Sequence, residues 1–242
     1  MKRTERHHLK ENELQNLARQ ARDGFETRRR EMTGIIAAVV VVGIALLAYY
    51  GWHQHVQSRA HALLAEALVV QSARVGAPAA PGTAGAGGLS YLTERERAQA
   101  ALTKFKTAAD AYPSTDGGIY ARYQEAATWT ALGSPAQAIS AYQLVIDRAG
   151  DGIYGQMARL GLAQAQAIDG KYDQAINAFK ELAQHKDGPL PVDGILMQLG
   201  KAYLDAGKRA DAQQTFTRLV EEYPESPFTG DARKALESLK KT

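Results

Sequence analysis

Residues 207–221 read GKRADAQQTFTRLVE, a glycine followed by small and aromatic residues at helical spacing. The same pattern stands 37 residues earlier as GKYDQAINAFKELAQ (170–184) and another 37 earlier as GSPAQAISAYQLVID (133–147). Self-similarity at a fixed period of this length is the signature of a repeat architecture. Two positions of the repeat keep their residue type over four units at a spacing of 37. One is small, at Ala101, Ala138, Ala175 and Ala212, and the other is aromatic, at Phe105, Tyr142, Phe179 and Phe216.

Each unit has the features of two helices joined by a turn. A small residue lets two helices approach closely, and the aromatic residue one turn later fills the space between them. The glycine ends the first helix with a left-handed cap, and a proline such as Pro113 or Pro224 ends the second. The first helices precede the glycines, at 120–132, 154–168 and 195–206. We therefore expect an all-α solenoid of helix-turn-helix units.

The C-terminal end has the pattern of a capping helix. Ser226-Pro227 offers a cap residue and a first-turn proline, which predicts that a helix begins there. A solenoid needs such a terminal helix to cover its last repeat. The apolar face of this helix is predicted to consist of Ala232, Ala235, Leu236 and Leu239.

At the other end, residues 93–112 are the second helix of a repeat whose first helix is not adjacent in sequence. We place that first helix at 56–73, which gives about four repeats with a period of 37 residues. Between the two lies GAPAAPGTAGAGG (76–88), which carries no charge and few side chains that could form a core. We therefore predict a flexible Gly/Ala/Pro loop over 76–89.

These residues resemble the tetratricopeptide repeat family over roughly residues 95–240. The family pattern is a small residue, an aromatic three later, alanine twelve later, an aromatic four after that and a closing proline. The last repeat follows it best, with Gly200, Tyr203, Ala212, Phe216 and Pro224. The second and third repeats lack the closing proline, with Gly150 and Asp187 in its place, and the period of 37 exceeds the standard 34 of the family. The resemblance implies a scaffold for protein–protein interactions.

An apolar run precedes the repeats, within RRREMTGIIAAVVVVGIALLAYYGW (28–52). Residues 32–52 contain no charged side chain and are long enough, at about 1.5 Å per residue, to cross a bilayer core. A buried core helix would show a polar stripe, which this run lacks. A cleaved signal peptide is the main alternative, but its apolar region is shorter and a small-x-small site closely follows it. We expect a retained transmembrane helix.

The basic residues indicate the orientation of this helix. Five arginines lie in residues 14–31, against the single Arg59 in residues 53–72. The positive-inside rule places residues 1–31 in the cytoplasm and the domain at 53–242 outside it, on the periplasmic side of the inner membrane in a bacterium. Within this basic segment, helical spacing of Leu14, Leu17, Ala21 and Phe25 predicts a short amphipathic helix.

No pattern in the sequence indicates catalysis. The chain has no cysteine, and no nucleotide-binding loop, nucleophile motif or metal-ligating histidine pair is present. We therefore predict no enzyme activity, no cofactor, no metal and no small-molecule substrate. The net charge of +3 is that of residues 1–31, so the rest of the chain is neutral and offers no electrostatic footprint for nucleic acid.

The candidate binding surface is the concave face that the first helices of a solenoid form. Tyrosine and methionine are adaptable contact residues, so extended or partly unfolded apolar segments of protein partners are the expected ligands. The alternative is that some of these side chains pack between repeats. The predicted partner-binding residues are Tyr120, Tyr123, Ala127, Met157, Leu160, Gln164, Met197 and Lys201.

A cytoplasmic helix, one membrane span and a repeat domain together resemble the ancillary subunit of the Sec translocon. That resemblance implies a membrane-embedded translocon and periplasmic chaperones as partners. Repeats that end in YPESP (223–227) also resemble the cell-division coordinator of the Tol-Pal system and outer-membrane assembly lipoproteins, which lack a retained N-terminal span. An enzyme or sensor with an unrecognised site is the third alternative.

Overall fold

The computed structural model of the chain describes residues 5–76, 88–185 and 188–240, with side chains from residue 33 onward. Two compact units are present, Met1–His55 and Val56–Thr242. Within the described ranges the chain forms nine α-helices and one pair of two-residue strands. These elements are α1 (Glu5–Gln71), β1 (Arg74–Val75), β2 (Ser90–Tyr91), α2 (Glu94–Ala111), α3 (Asp116–Ala131), α4 (Pro135–Ala149), α5 (Ile153–Ile168), α6 (Tyr172–Gln184), α7 (Val192–Asp205), α8 (Arg209–Glu222) and α9 (Thr229–Lys240).

The helices of the second unit pair as the repeats predict. α3 packs on α4, α5 on α6 and α7 on α8, and α9 covers α8. The first repeat pairs α2 with the end of α1, because Leu64, Ala67 and Val70 share a buried cluster with Phe105. The prediction of an all-α solenoid of four repeats and a capping helix is confirmed, and so is the pairing of two segments that are distant in sequence.

The two repeating columns form the core between the helices of each pair. All four small residues and all four aromatic residues are buried. In the last repeat the Phe216 ring lies so close to the backbone of α7 that a Cβ atom on Gly200 would stand 2.3 Å from it. The small and aromatic positions are therefore complementary in shape, as the spacing predicts.

The turn within each pair is closed by a glycine in the left-handed region. Gly133, Gly170 and Gly207 have φ angles of 74°, 77° and 71°. In the first of these turns Ser134 N donates to Trp129 O at 2.9 Å and Gly133 N donates to Thr130 O at 3.0 Å, the two bonds of a Schellman motif. The other two turns repeat both bonds, so the predicted glycine caps are confirmed.

The starts of α3 and α9 differ from the predicted ones because side chains cap elsewhere. α3 begins at Asp116, since Thr115 Oγ1 accepts from Gly118 N at 3.1 Å. α9 begins at Thr229 rather than at Ser226-Pro227. There Ser226 Oγ accepts from Phe228 N at 3.1 Å and donates to Asp193 Oδ2 at 2.6 Å, which holds the segment as a turn against α7.

A short parallel strand pair marks the ends of the segment between α1 and α2. Arg74 pairs with Ser90 and Val75 with Tyr91. A parallel pair needs a connection of a dozen or more residues, and residues 76–89 supply fourteen. Most of the predicted loop, residues 77–87, lies outside the described residues. Neither strand was predicted, because two residues carry no periodic signal.

The first unit consists of the N-terminal part of α1. Its large apolar side chains from Ile35 to Trp52 are more than half exposed, and its most apolar window has a mean hydropathy of 2.3. By length and composition this helix could cross a membrane. Residues 5–31 are helical as well, but the predicted amphipathic face lies outside the described side chains.

Candidate protein-interaction surface

The structure places the predicted binding residues on the first helices of the repeats, α3, α5 and α7. Six are half-buried, namely Tyr120, Tyr123, Ala127, Met157, Leu160 and Gln164. Lys201 is exposed. Met197 is only 4% exposed, which agrees with the alternative that some of these side chains pack between repeats. It belongs to the buried cluster that α6, α7, α8 and α9 form, where the capping helix adds apolar cover.

Tyrosines from three helices meet on this surface. The ring of Tyr120 stacks on that of Tyr123 at a centroid distance of 6.2 Å and lies 5.5 Å from that of Tyr154. Tyr123 in turn meets the ring of buried Tyr142 edge-on at 5.8 Å. We call these four residues the tyrosine cluster. It joins the second repeat to the third.

Tyr154 was missing from the predicted residues, although it completes the cluster. Its position in the repeat corresponds to Gly117, 37 residues earlier, so no column of similar residues pointed to it. Tyr154 is the second residue of α5, which begins at Ile153 and packs beside α3, and this brings its ring to Tyr120. The contact between α3 and α5 could not be deduced from a single repeat.

The cluster is neutral in charge. Burial raises the pKa of the Tyr142 hydroxyl to about 12, and burial also raises the pKa of Tyr123. The Tyr120 hydroxyl accepts a hydrogen bond from Gln124 Nε2 at 2.6 Å. The phenols of Tyr123 and Tyr142 therefore stay protonated at neutral pH, and the surface offers ring faces and hydroxyl groups.

The raised pKa of Tyr142 predicts an alkaline loss of stability. The neutral phenol is favoured in the folded chain, so this stabilisation is complete below the unfolded pKa of about 10 and is lost as the pH rises to about 12. Across that interval we expect Tyr142 to account for a decrease of about 2–3 kcal/mol in the free energy of unfolding. Urea unfolding at a series of pH values measures it.

The matched variant for this measurement is Tyr142→Phe, which keeps the ring and removes the ionisable hydroxyl. Its free energy of unfolding should fall less steeply than that of the wild type between these two pH values. Equal slopes in the two proteins would show that Tyr142 is not desolvated.

Elsewhere in the described part of the chain, no group of three or more His, Cys, Asp or Glu residues is positioned to hold a metal ion. That the protein binds no metal stays a prediction.

The sequence profile of the family described as "Tetratricopeptide repeat-like domain" matches residues 29–227. The chain belongs to this family. The match covers more than half of the chain and includes the apolar run at 32–52 as well as all four repeats. The tetratricopeptide repeat resemblance is thus confirmed at the level of the family.

Solved structures agree with this assignment at the level of the fold. The chain is similar to the nearly identical TPR-like repeats of a kinesin light chain homologue from Podospora anserina, with a TM-score of 0.58, 13% identity and coverage of 76% of this chain and 87% of that one. A point variant of the same repeats gives a TM-score of 0.54, 12% identity and coverage of 76% and 94%. No curated protein sequence matches the chain.

Proposed function

We propose that this chain is a membrane-anchored scaffold whose tetratricopeptide repeats bind protein partners through the tyrosine cluster. The observation that carries the proposal is the meeting of Tyr120, Tyr123 and Tyr154 on first helices of adjacent repeats, where each ring is half-buried. Half-buried rings are held in place yet keep part of their surface exposed, so they contribute contact area at low entropic cost. The expected ligand is an extended or partly unfolded apolar segment.

The anchor in this proposal is the apolar part of α1. The large apolar side chains from Ile35 to Trp52 are exposed, and a bilayer would supply apolar surroundings for them. The arginine bias around this run supports a cytoplasmic N-terminus and a repeat domain on the periplasmic face of the inner membrane.

The partners in this proposal are the membrane-embedded translocon and periplasmic chaperones, so the function is ancillary to protein translocation. This finer assignment is supported by the architectural resemblance to the ancillary Sec subunit. The repeat ending YPESP supports a cell-envelope or cell-division coordinator as the second candidate.

Site-specific photo-cross-linking in native membranes tests both the binding surface and the identity of the proposed partners. A photoreactive residue at position 154 should capture translocon or chaperone subunits, because it lies in the tyrosine cluster. The control is position 234 on the capping helix, where the lysine side chain is 80% exposed and distant in sequence from the cluster. Equal capture at both positions would contradict a role for the cluster. Capture of only peptidoglycan-associated or outer-membrane proteins would favour the second candidate.

The double variant Tyr120→Ser and Tyr154→Ser should reduce this capture at least about tenfold, measured with a photoreactive residue at position 157. Tyrosines at the centre of an interface commonly contribute about 2 kcal/mol or more to binding. Tyr142 is left unchanged because it is part of the core. Circular dichroism of the purified variant should match the wild type, and unchanged capture would place the binding surface elsewhere.

A further inference from the structure

Two arginines occupy the same position in consecutive repeats, Arg122 in the second and Arg159 in the third, 37 residues apart. Both terminal nitrogens of Arg122 are paired within the chain. Its Nη1 donates to Glu125 Oε2 at 2.6 Å, and its Nη2 donates to Asp110 Oδ1. The side chain of Glu125 is only 6% exposed, so this ion pair is part of the protein interior.

Arg159 has lost the equivalent partner. Its Nη2 donates to Asp151 Oδ1 at 2.9 Å, but its Nη1 is buried and has no hydrogen-bond partner. The position that corresponds to Glu125 is occupied by Leu162, which cannot accept a hydrogen bond. A buried guanidinium N–H without an acceptor is unfavourable, so an acceptor from another molecule would be stabilised here.

The space around the two arginines also differs. The pocket beside Arg122 has a volume of about 40 Å³, whereas the corresponding pocket beside Arg159, between α4, α5 and α6, has about 550 Å³. Ile119 and Leu144 line the first, and their counterparts in the second are Gln156 and Glu181. The third repeat therefore has both more room and a more polar lining at the position where its arginine lacks the counterpart of Glu125.

We propose that this pocket binds a carboxylate group of a partner polypeptide, which takes the place at Arg159 Nη1 that Glu125 takes at Arg122. The planar guanidinium fork is suited to carboxylate oxygens, and such charge-assisted hydrogen bonds are about twice as strong as neutral ones. Asp151 engages only Nη2 and its side chain is 92% exposed, so it does not occupy the site. Glu181 on the lining disfavours ligands of high negative charge.

The apolar part of the lining indicates the rest of the ligand. Ile146, Leu162 and Leu182 contribute apolar side chains beside Arg159, and the pocket is much larger than one carboxylate group. The ligand is therefore a peptide in which a carboxylate stands next to an apolar side chain. This site shares no lining residue with the tyrosine cluster and does not depend on the proposed function of that cluster.

Fluorescence anisotropy with the full chain in detergent micelles tests this site. One probe is fluorescein-Gly-Ser-Leu-Glu-Leu-Ser amide, which carries an internal carboxylate. A second has Gln in place of Glu and a free C-terminus, and a third is the same Gln peptide as an amide, without a carboxylate. The wild type should bind at least one of the first two at least about tenfold more tightly than the third. The difference between the first two tells whether a side chain or a C-terminus is preferred.

Two variants separate the site from a general effect of charge. Arg159→Gln removes the donor, and Leu162→Glu supplies an internal carboxylate that mimics Glu125 while the arginine stays in place. Both should weaken binding of the preferred peptide at least about tenfold. Equal binding of all three peptides, no binding of either carboxylate peptide, or unchanged binding to Leu162→Glu would overturn the proposal. If Arg159→Gln does not fold, Leu162→Glu and the comparison of the three peptides still show whether the pocket binds a carboxylate.

Discussion

Replacing Phe216 with alanine should lower the free energy of unfolding by about 3–5 kcal/mol, because the ring is fully buried against Gly200 of the neighbouring helix. Gly200, which faces the ring, has no side chain that could move into the cavity that remains. Urea unfolding followed by circular dichroism gives the value.

A second substitution shows whether this loss comes from the predicted contact. Gly200→Ala should destabilise the wild type, because its Cβ atom would collide with the Phe216 ring. In the Phe216→Ala background the same change should be neutral or stabilise by up to about 1 kcal/mol, since alanine favours a helix over glycine. The effect of Gly200→Ala on the free energy of unfolding should thus change sign between the wild type and Phe216→Ala. If the two substitutions had additive effects, the packing of Phe216 on Gly200 would be contradicted.

Replacing Arg122 with methionine should cost about 3–5 kcal/mol, because it leaves the Glu125 carboxylate buried without its partner. The chain supplies its own control at the same position of the next repeat. Arg159→Met should cost less than about 1 kcal/mol, since Arg159 pairs only with an exposed aspartate. Unfolding of both variants in urea measures the difference.

The double variant Arg122→Met and Glu125→Met refines this test. Replacing a buried ion pair by apolar side chains of similar volume is often nearly neutral, so most of the stability should return. Equal losses in the two single arginine variants would mean that the second and third repeats do not differ at this position. The pocket proposed at Arg159 would then lose its structural basis.

The core of this fold was predictable because it repeats. Columns such as Phe105 to Phe216 and the glycines that end the first helices depend on contacts within one pair of helices, and the period displays those contacts several times. The period also identified residues 93–112 as a second helix without an adjacent first helix, and the candidate at 56–73, across a long insertion, is the segment that packs on α2. Local packing rules and a fixed period were sufficient here.

Features that occur once, or that join neighbouring repeats, were less predictable. The beginning of α9 depends on the hydrogen bond from Ser226 to Asp193, which is 33 residues away in sequence. Tyr154 joins the tyrosine cluster through contact between α3 and α5, and the buried state of Met197 depends on the additional cover at the end of the solenoid. The exchange of Glu125 for Leu162 is visible in the sequence, but the unpaired nitrogen it leaves is not.

The strand pair at the first repeat has a practical consequence. Gly76 N donates to Tyr91 O at 2.9 Å, and Arg97 Nη1 donates to Ala73 O at 3.2 Å, so both ends of the insertion are fastened where they leave the repeat. The entropic cost of a longer closed segment rises by only about 0.6 kcal/mol for each doubling of its length. Homologues can therefore differ widely in length here without altering the solenoid, and an epitope or fluorescent tag is best introduced at this point of the chain.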